Sequence, residues 1–80
     1  MRLPRDTSGR DLAGALARLG YAVSHQTGSH IRLSTQRGGE HHVTIPAHEA
    51  LKIGTLSAIL RDVGDHHHLS REDLLKELFS

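Results

Sequence analysis

"YAVSHQTGSHIRLS", residues 21–34, decides how this chain folds. Two short apolar runs, 21–25 and 29–34, flank a polar break that contains Gly28, the pattern of a β-hairpin. A two-residue Thr27-Gly28 loop would set Tyr21 and Val23 on the face opposite Ile31 and Leu33, because a one-residue slip flips every side chain. A three-residue Gln26-Thr27-Gly28 loop gathers all four on one face. It also puts Gly28 at the left-handed last loop position, where glycine is favoured. The burial pattern therefore predicts the three-residue loop. His30, Arg32 and Ser34 then face away from the core, with Ala22 and Ser24 across from them.

Outward from the hairpin, 35–40 contains Gly38-Gly39 and reads as a second turn. The following "HHVTIP", 41–46, alternates, with Val43 and Ile45 inward and His42 and Thr44 outward. Pro46 ends this strand because it has no N–H for a ladder. Tyr21, Val23, Ile31, Leu33, Val43 and Ile45 are thus predicted to line the core, and 47–54 is irregular.

Helices flank the three strands. Ser8 with Asp11 resembles a capping box, and Leu12, Leu16 and Leu19 form an apolar stripe that stops at Gly20, predicting a helix over 9–19. Leu56, Ile59, Leu60 and Val63 follow i, i+3, i+4, i+7, a second amphipathic helix. Gly64 either ends it or lies within it if the helix runs on to about His67; the pattern is compatible with both. Ser70 as N-cap, Asp73 at the third helical position and Leu69 paired with Leu74 mark a last helix, with Leu74, Leu75, Leu78 and Phe79 as its packing side. The expected fold class is α+β, in the order α-β-β-β-α plus an extra C-terminal helix. An antiparallel sheet of this kind packs its helices on one face and leaves the other free. The free face is expected to carry His30, Arg32, Ser34, His42 and Thr44. Eighty residues are read as one domain, 1–80, with a core at 3–64 and a helical extension at 65–80.

Composition narrows the function classes. There is no cysteine, so neither a disulfide nor a thiolate metal site supplements a small core. No apolar run approaches the roughly 20 residues that span a bilayer, and no signal-peptide core is read at the N-terminus, so no membrane partner and a cytoplasmic location are expected. The net charge of +1 divides into a basic stretch to residue 61 and an acidic tail after it. The eight histidines add positive charge as pH falls past about 6.5, the ordinary imidazole value. Such a balance permits contact with phosphate without requiring it. With Tyr21 and Phe79 as the only aromatics, the several exposed aromatics of a base-stacking sheet are missing, so any RNA is expected to be held by phosphate, sugar and shape.

The motifs exclude more than they include. There is no nucleophile elbow, dinucleotide fingerprint or phosphate-cradling glycine loop. His66, His67 and His68 are consecutive, and helical neighbours point about 100° apart, so they are read as exposed residues and not as a metal site. His41 and His42 point to opposite faces of a strand. No cofactor is expected. His30 differs in its setting, on a strand directly after a glycine turn, beside Arg32, on a face with no role in the core. An imidazole there is suited to proton transfer with a ribose 2′-hydroxyl, and the guanidinium to a phosphate.

The segments "LPRDTSGRDLAGALARLGY", "QTGSHIRL", "VTIPAH" and "KIGTLSAILRDVG" together resemble the HicA toxin family of bacterial and archaeal toxin–antitoxin systems, over about residues 3–64. Gly28-Ser29-His30 and the Gly54-Thr55-Leu56 block with Ile59-Leu60 are the most specific parts. The resemblance implies a fold similar to a double-stranded-RNA-binding domain and metal-independent endoribonuclease activity on mRNA. It implies His30 as the catalytic residue and a HicB-type antitoxin as partner. Gly28, Ser29, Arg32 and Lys52 are the expected RNA contacts, and the second proton carrier is His48, Lys52 or water. A non-catalytic RNA-binding module of the same fold is the alternative. Around the turn this chain has His25 and Thr27, where many members carry arginine or lysine.

Overall fold

The computed structural model describes residues 6–79; residues 3–5 of the expected core lie outside them. Helix α1 covers Gly9–Leu16 and continues through a 3₁₀ turn, Ala17–Leu19. The Ser8–Asp11 capping box is complete in both directions. At the other end Gly20 takes the left-handed conformation (φ 85°) that halts the helix. Three antiparallel strands follow, β1 (Ala22–Gln26), β2 (His30–Thr35) and β3 (His41–Pro46), in the order β1-β2-β3. Helix α2 spans Ile53–His67 and α3 spans Arg71–Phe79. The arrangement is an α+β fold of the double-stranded-RNA-binding type with an added C-terminal helix.

The core is one cluster. Leu12, Leu16 and Leu19 from the first helical segment, Ile31 and Leu33 from β2, Val43 and Ile45 from β3, and Leu56, Leu60 and Val63 from α2 are buried together. Helix α3 belongs to the same cluster through Leu74, Leu75 and Leu78. Its entry is built as the sequence indicates, with the Asp73 N–H donating to the Ser70 hydroxyl at 3.1 Å. Between α2 and α3, His68 adopts a left-handed conformation (φ 56°) and the Leu69 N–H reaches back to the Gly64 carbonyl at 2.9 Å. That is a Schellman closure with histidine in the place usually held by glycine. Gly64 therefore lies inside α2 and is buried there, and a core boundary drawn after residue 64 falls within this helix.

Two expectations about the hairpin need correction. Its turn is centred on Gly28-Ser29, with the Thr27 N–H donating to the His30 carbonyl at 3.0 Å, and Gly28 is not among the residues with positive φ. A Gln26-Thr27-Gly28 loop with a left-handed Gly28 is not formed. Val23 pairs with Leu33 yet is 53% exposed, so it does not fill the core. Strand β1 is an edge strand whose residues are all exposed, while β2 and β3 alternate between buried and open positions. Helix α1 approaches β1 as well as β2 and β3, yet the β1 side chains stay exposed at the sheet edge. By contrast the Gly38-Gly39 turn forms as expected, with φ of 70° and 103°.

Candidate active site

The helix-free face is where the candidate residues meet. His30 opens β2 opposite Pro46 of β3; Arg32, two residues on, lies opposite Thr44; Ser34 lies opposite His42. His30, Arg32, His42 and Thr44 are exposed, and Ser34 is half-buried. His30 is held firmly from behind. Its N–H donates to the Thr27 hydroxyl at 3.2 Å, and on the other side the Ala47 N–H bonds to the Ser29 carbonyl at 2.9 Å. The Gly28-Ser29 turn is thus tied both to its own hairpin and to the exit of β3. Helix α1 supports the same end. Gly9 is buried, its N–H donates to the His48 carbonyl at 2.9 Å, and a Cβ there would collide with the Pro46 carbonyl.

The Ser29 hydroxyl lies 3.0 Å from Nδ1 of His30. With Nδ1–H donating to this oxygen, Nε2 presents the free lone pair a general base needs. In the imidazolium form Nδ1–H still donates to this oxygen, and Nε2–H is the proton a general acid gives. Either way the contact orients the ring toward open solvent.

Two other expected residues stand elsewhere. His48 lines an open cleft with Ser8, Arg10 and Glu49 beside the start of α1. Lys52 is exposed at the N-terminus of α2, in the helical layer. Neither is a cross-strand neighbour of His30 or Arg32. A residue that the alternation did not assign to this face is His25, which pairs directly with Arg32. The only available signal was its place four residues after Tyr21, which a regular strand would have put on the core side. At the far edge His42 is 3.2 Å from the Glu40 carboxylate.

Of the three consecutive histidines expected to be exposed, His68 is, but His66 and His67 are half-buried. His41, His66 and His67 are half-buried on the helical side of the sheet around the Tyr21 hydroxyl. His41 is 3.1 Å from Asp62 through Nε2 and 2.7 Å from the Tyr21 hydroxyl through Nδ1. A carboxylate only accepts, so neutral His41 donates Nε2–H to Asp62 and its Nδ1 accepts from Tyr21. The Tyr21 oxygen in turn accepts from Nε2–H of His67 at 3.1 Å. His66 stacks on His41 with ring centroids 4.3 Å apart, and its Nε2–H points between the Arg37 and Gly39 carbonyls, 3.1 Å from each. Burial, aided by Asp62, pushes the Tyr21 hydroxyl up to about 12. Burial first, then the nearby His66, Arg37, His41 and His68, holds His67 below the ordinary imidazole value. Among the described residues no three His, Cys, Asp or Glu side chains are grouped to hold a metal ion. No helix among them is long and apolar enough to cross a membrane.

No curated protein and no solved structure matches the chain. The family described as "HicA toxin of bacterial toxin-antitoxin" matches it over residues 9–65, which takes in α1, the whole sheet, the Gly28-Ser29-His30 turn and most of α2. The chain belongs to the HicA toxin family, the toxins of bacterial toxin–antitoxin systems.

Proposed function

We propose that this toxin is a metal-independent endoribonuclease that cleaves mRNA in the cytoplasm, with His30 as its catalytic residue, and that a HicB-type antitoxin neutralises it by covering the helix-free face. The observation that carries the reading is the placement of His30. It is an exposed imidazole on a braced turn, oriented by Ser29 and two residues from a guanidinium, on a face that the core does not use. Gly28 supports it. Neither its backbone angle nor its packing calls for glycine, since an added Cβ would meet nothing within 4 Å. A bare turn suits close approach of a nucleic-acid backbone from outside.

The chemistry follows from RNA itself. The 2′-hydroxyl attacks the adjacent phosphorus in line, the bond to the 5′-oxygen breaks, and the products are a 2′,3′-cyclic phosphate and a 5′-hydroxyl. His30 removes the 2′ proton or protonates the leaving oxygen. Arg32 neutralises the phosphate, the Gly28-Ser29 turn contacts the backbone, and Lys52 is a more distant cation.

The test is cleavage of a labelled mRNA by the purified protein in EDTA, with end-group analysis of the products. The wild type is expected to cut and leave cyclic phosphate. His30→Ala is expected to lose about 10²–10⁴ in rate while remaining folded and able to bind the antitoxin. A 5′-phosphate product would refute in-line 2′ attack, and a folded His30→Ala that cuts at the wild-type rate would remove His30 from catalysis. A salt-sensitive gel shift without any cleavage would instead select a non-catalytic RNA-binding module.

A further inference from the structure

We propose that His25 is a second catalytic residue of the ribonuclease reaction proposed above, carrying a proton on the side of the scissile phosphate opposite His30; the inference rests on that reading. The observation behind it is an irregularity in β1. Ala22 pairs with Ser34 and Val23 with Leu33, but the next pair is His25 with Arg32, followed by Gln26 with Ile31. Ser24 is the extra residue. Without the bulge, the first register would put Ser24 opposite Arg32 and His25 opposite the buried Ile31, on the core side. The bulge moves His25 to the open face and directly across from Arg32. Bulges are over-represented next to active sites, where they re-aim a side chain. The Ser24 hydroxyl helps hold this one by donating to the Arg32 carbonyl at 3.2 Å.

The resulting geometry suits a phosphodiester. Directly opposed residues on one face have Cβ atoms about 4.5–5.5 Å apart, and diagonal ones about 7–8 Å. Arg32 is the direct neighbour of His25, and His30 is its diagonal one. A phosphate seated on the diagonal between His25 and His30 therefore has an imidazole on either side, with the Arg32 guanidinium at the corner to neutralise it. In-line displacement needs this, because the entering 2′-oxygen and the leaving 5′-oxygen lie on opposite sides of phosphorus. One imidazole accepts the 2′ proton as the P–O2′ bond forms. The other gives its proton to the 5′-oxygen as the P–O5′ bond breaks. Exchange with water returns both to their starting forms. His48 and Lys52 lie outside this face, at the start of α1 and of α2. The groups facing His25 are Arg32 and, diagonally, His30 of β2, with Thr44 of β3 beyond Arg32 and His42 with Glu40 further along. The residues of β1 are all exposed.

The decisive measurement is the pH dependence of kcat/KM and kcat for cleavage of an oligoribonucleotide in EDTA by the full chain, wild type, His25→Ala, His25→Gln and His30→Ala. The expected wild-type profile is a bell. Each His25 variant is expected to lose about 10²–10⁴-fold in kcat and one limb of the bell, with RNA affinity by gel shift within about threefold. Partial rescue of His25→Ala by free imidazole is expected. A His25→Ala enzyme with wild-type kcat and both limbs would overturn the role of His25 and leave that of His30 intact. A defect confined to KM would make His25 an RNA contact and overturn its catalytic role. Failure of the wild type to cleave any RNA would overturn the nuclease reading, and His25 with it.

Discussion

Replacing Tyr21 by Phe deletes one oxygen from the centre of the histidine network while leaving the ring in place. The ring is 3% exposed, so its apolar burial is unchanged by the substitution. Two hydrogen bonds disappear, the one into Nδ1 of His41 at 2.7 Å and the one from Nε2–H of His67 at 3.1 Å. A typical intramolecular hydrogen bond contributes about 0.5–1.5 kcal/mol net, and a buried group left unpaired costs about 1–3 kcal/mol. Both imidazoles are half-buried, so water partly compensates them. The expected loss is about 1–3 kcal/mol. In a domain of this size each kcal/mol lowers Tm by about 4–8 °C, so Tyr21→Phe should melt at least several degrees below wild type at pH 7.5. Thermal melts and urea titrations followed by circular dichroism measure this directly. The cost should fall on the attachment of α2 to the second hairpin, because Asp62, His66 and His67 hold Tyr21, His41 and the Gly38-Gly39 turn. A variant as stable as wild type by both methods would show that the chain of hydrogen bonds contributes nothing net, and the reasoning would fail.

Stability should fall below pH 6.5: burial lowers the folded-state value of His67 relative to the unfolded imidazole, so its contribution is complete above about 6.5 and is lost as pH falls through the folded value. His67→Gln, which keeps a donor but cannot charge, should flatten the fall of urea midpoint between pH 7 and pH 5, and an unchanged slope would exclude His67 as a source. Arg32→Ala should weaken RNA binding and reduce its salt slope by up to about one unit, whereas an unaltered slope would make Arg32 a solvated strand residue. Leu75→Ala, at a side chain 1% exposed, should destabilise by about 2–5 kcal/mol; a loss under 1 kcal/mol in urea unfolding would mean that α3 is not integral to the core.

What the sequence determined by itself was everything governed by short-range period and capping. The Ser8 and Ser70 caps, the apolar stripes of α1 and α2 and the alternation of β2 and β3 are local signals, and all appear as read. The exposure of His30 and Arg32 follows from the same alternation. Tertiary structure decided what depends on partners distant in the chain. Val23 stays open at the sheet edge although it pairs with the buried Leu33. The extra residue at Ser24 breaks strict alternation, and with it any inference about His25 from counting. Tyr21, His41, Asp62 and His67 are 20 or more residues apart along the chain except within α2, and only packing α2 across the sheet makes them one network. Periodicity tells each side chain which way to face; which partner it meets is set by how whole elements stack, and no local pattern carries that information.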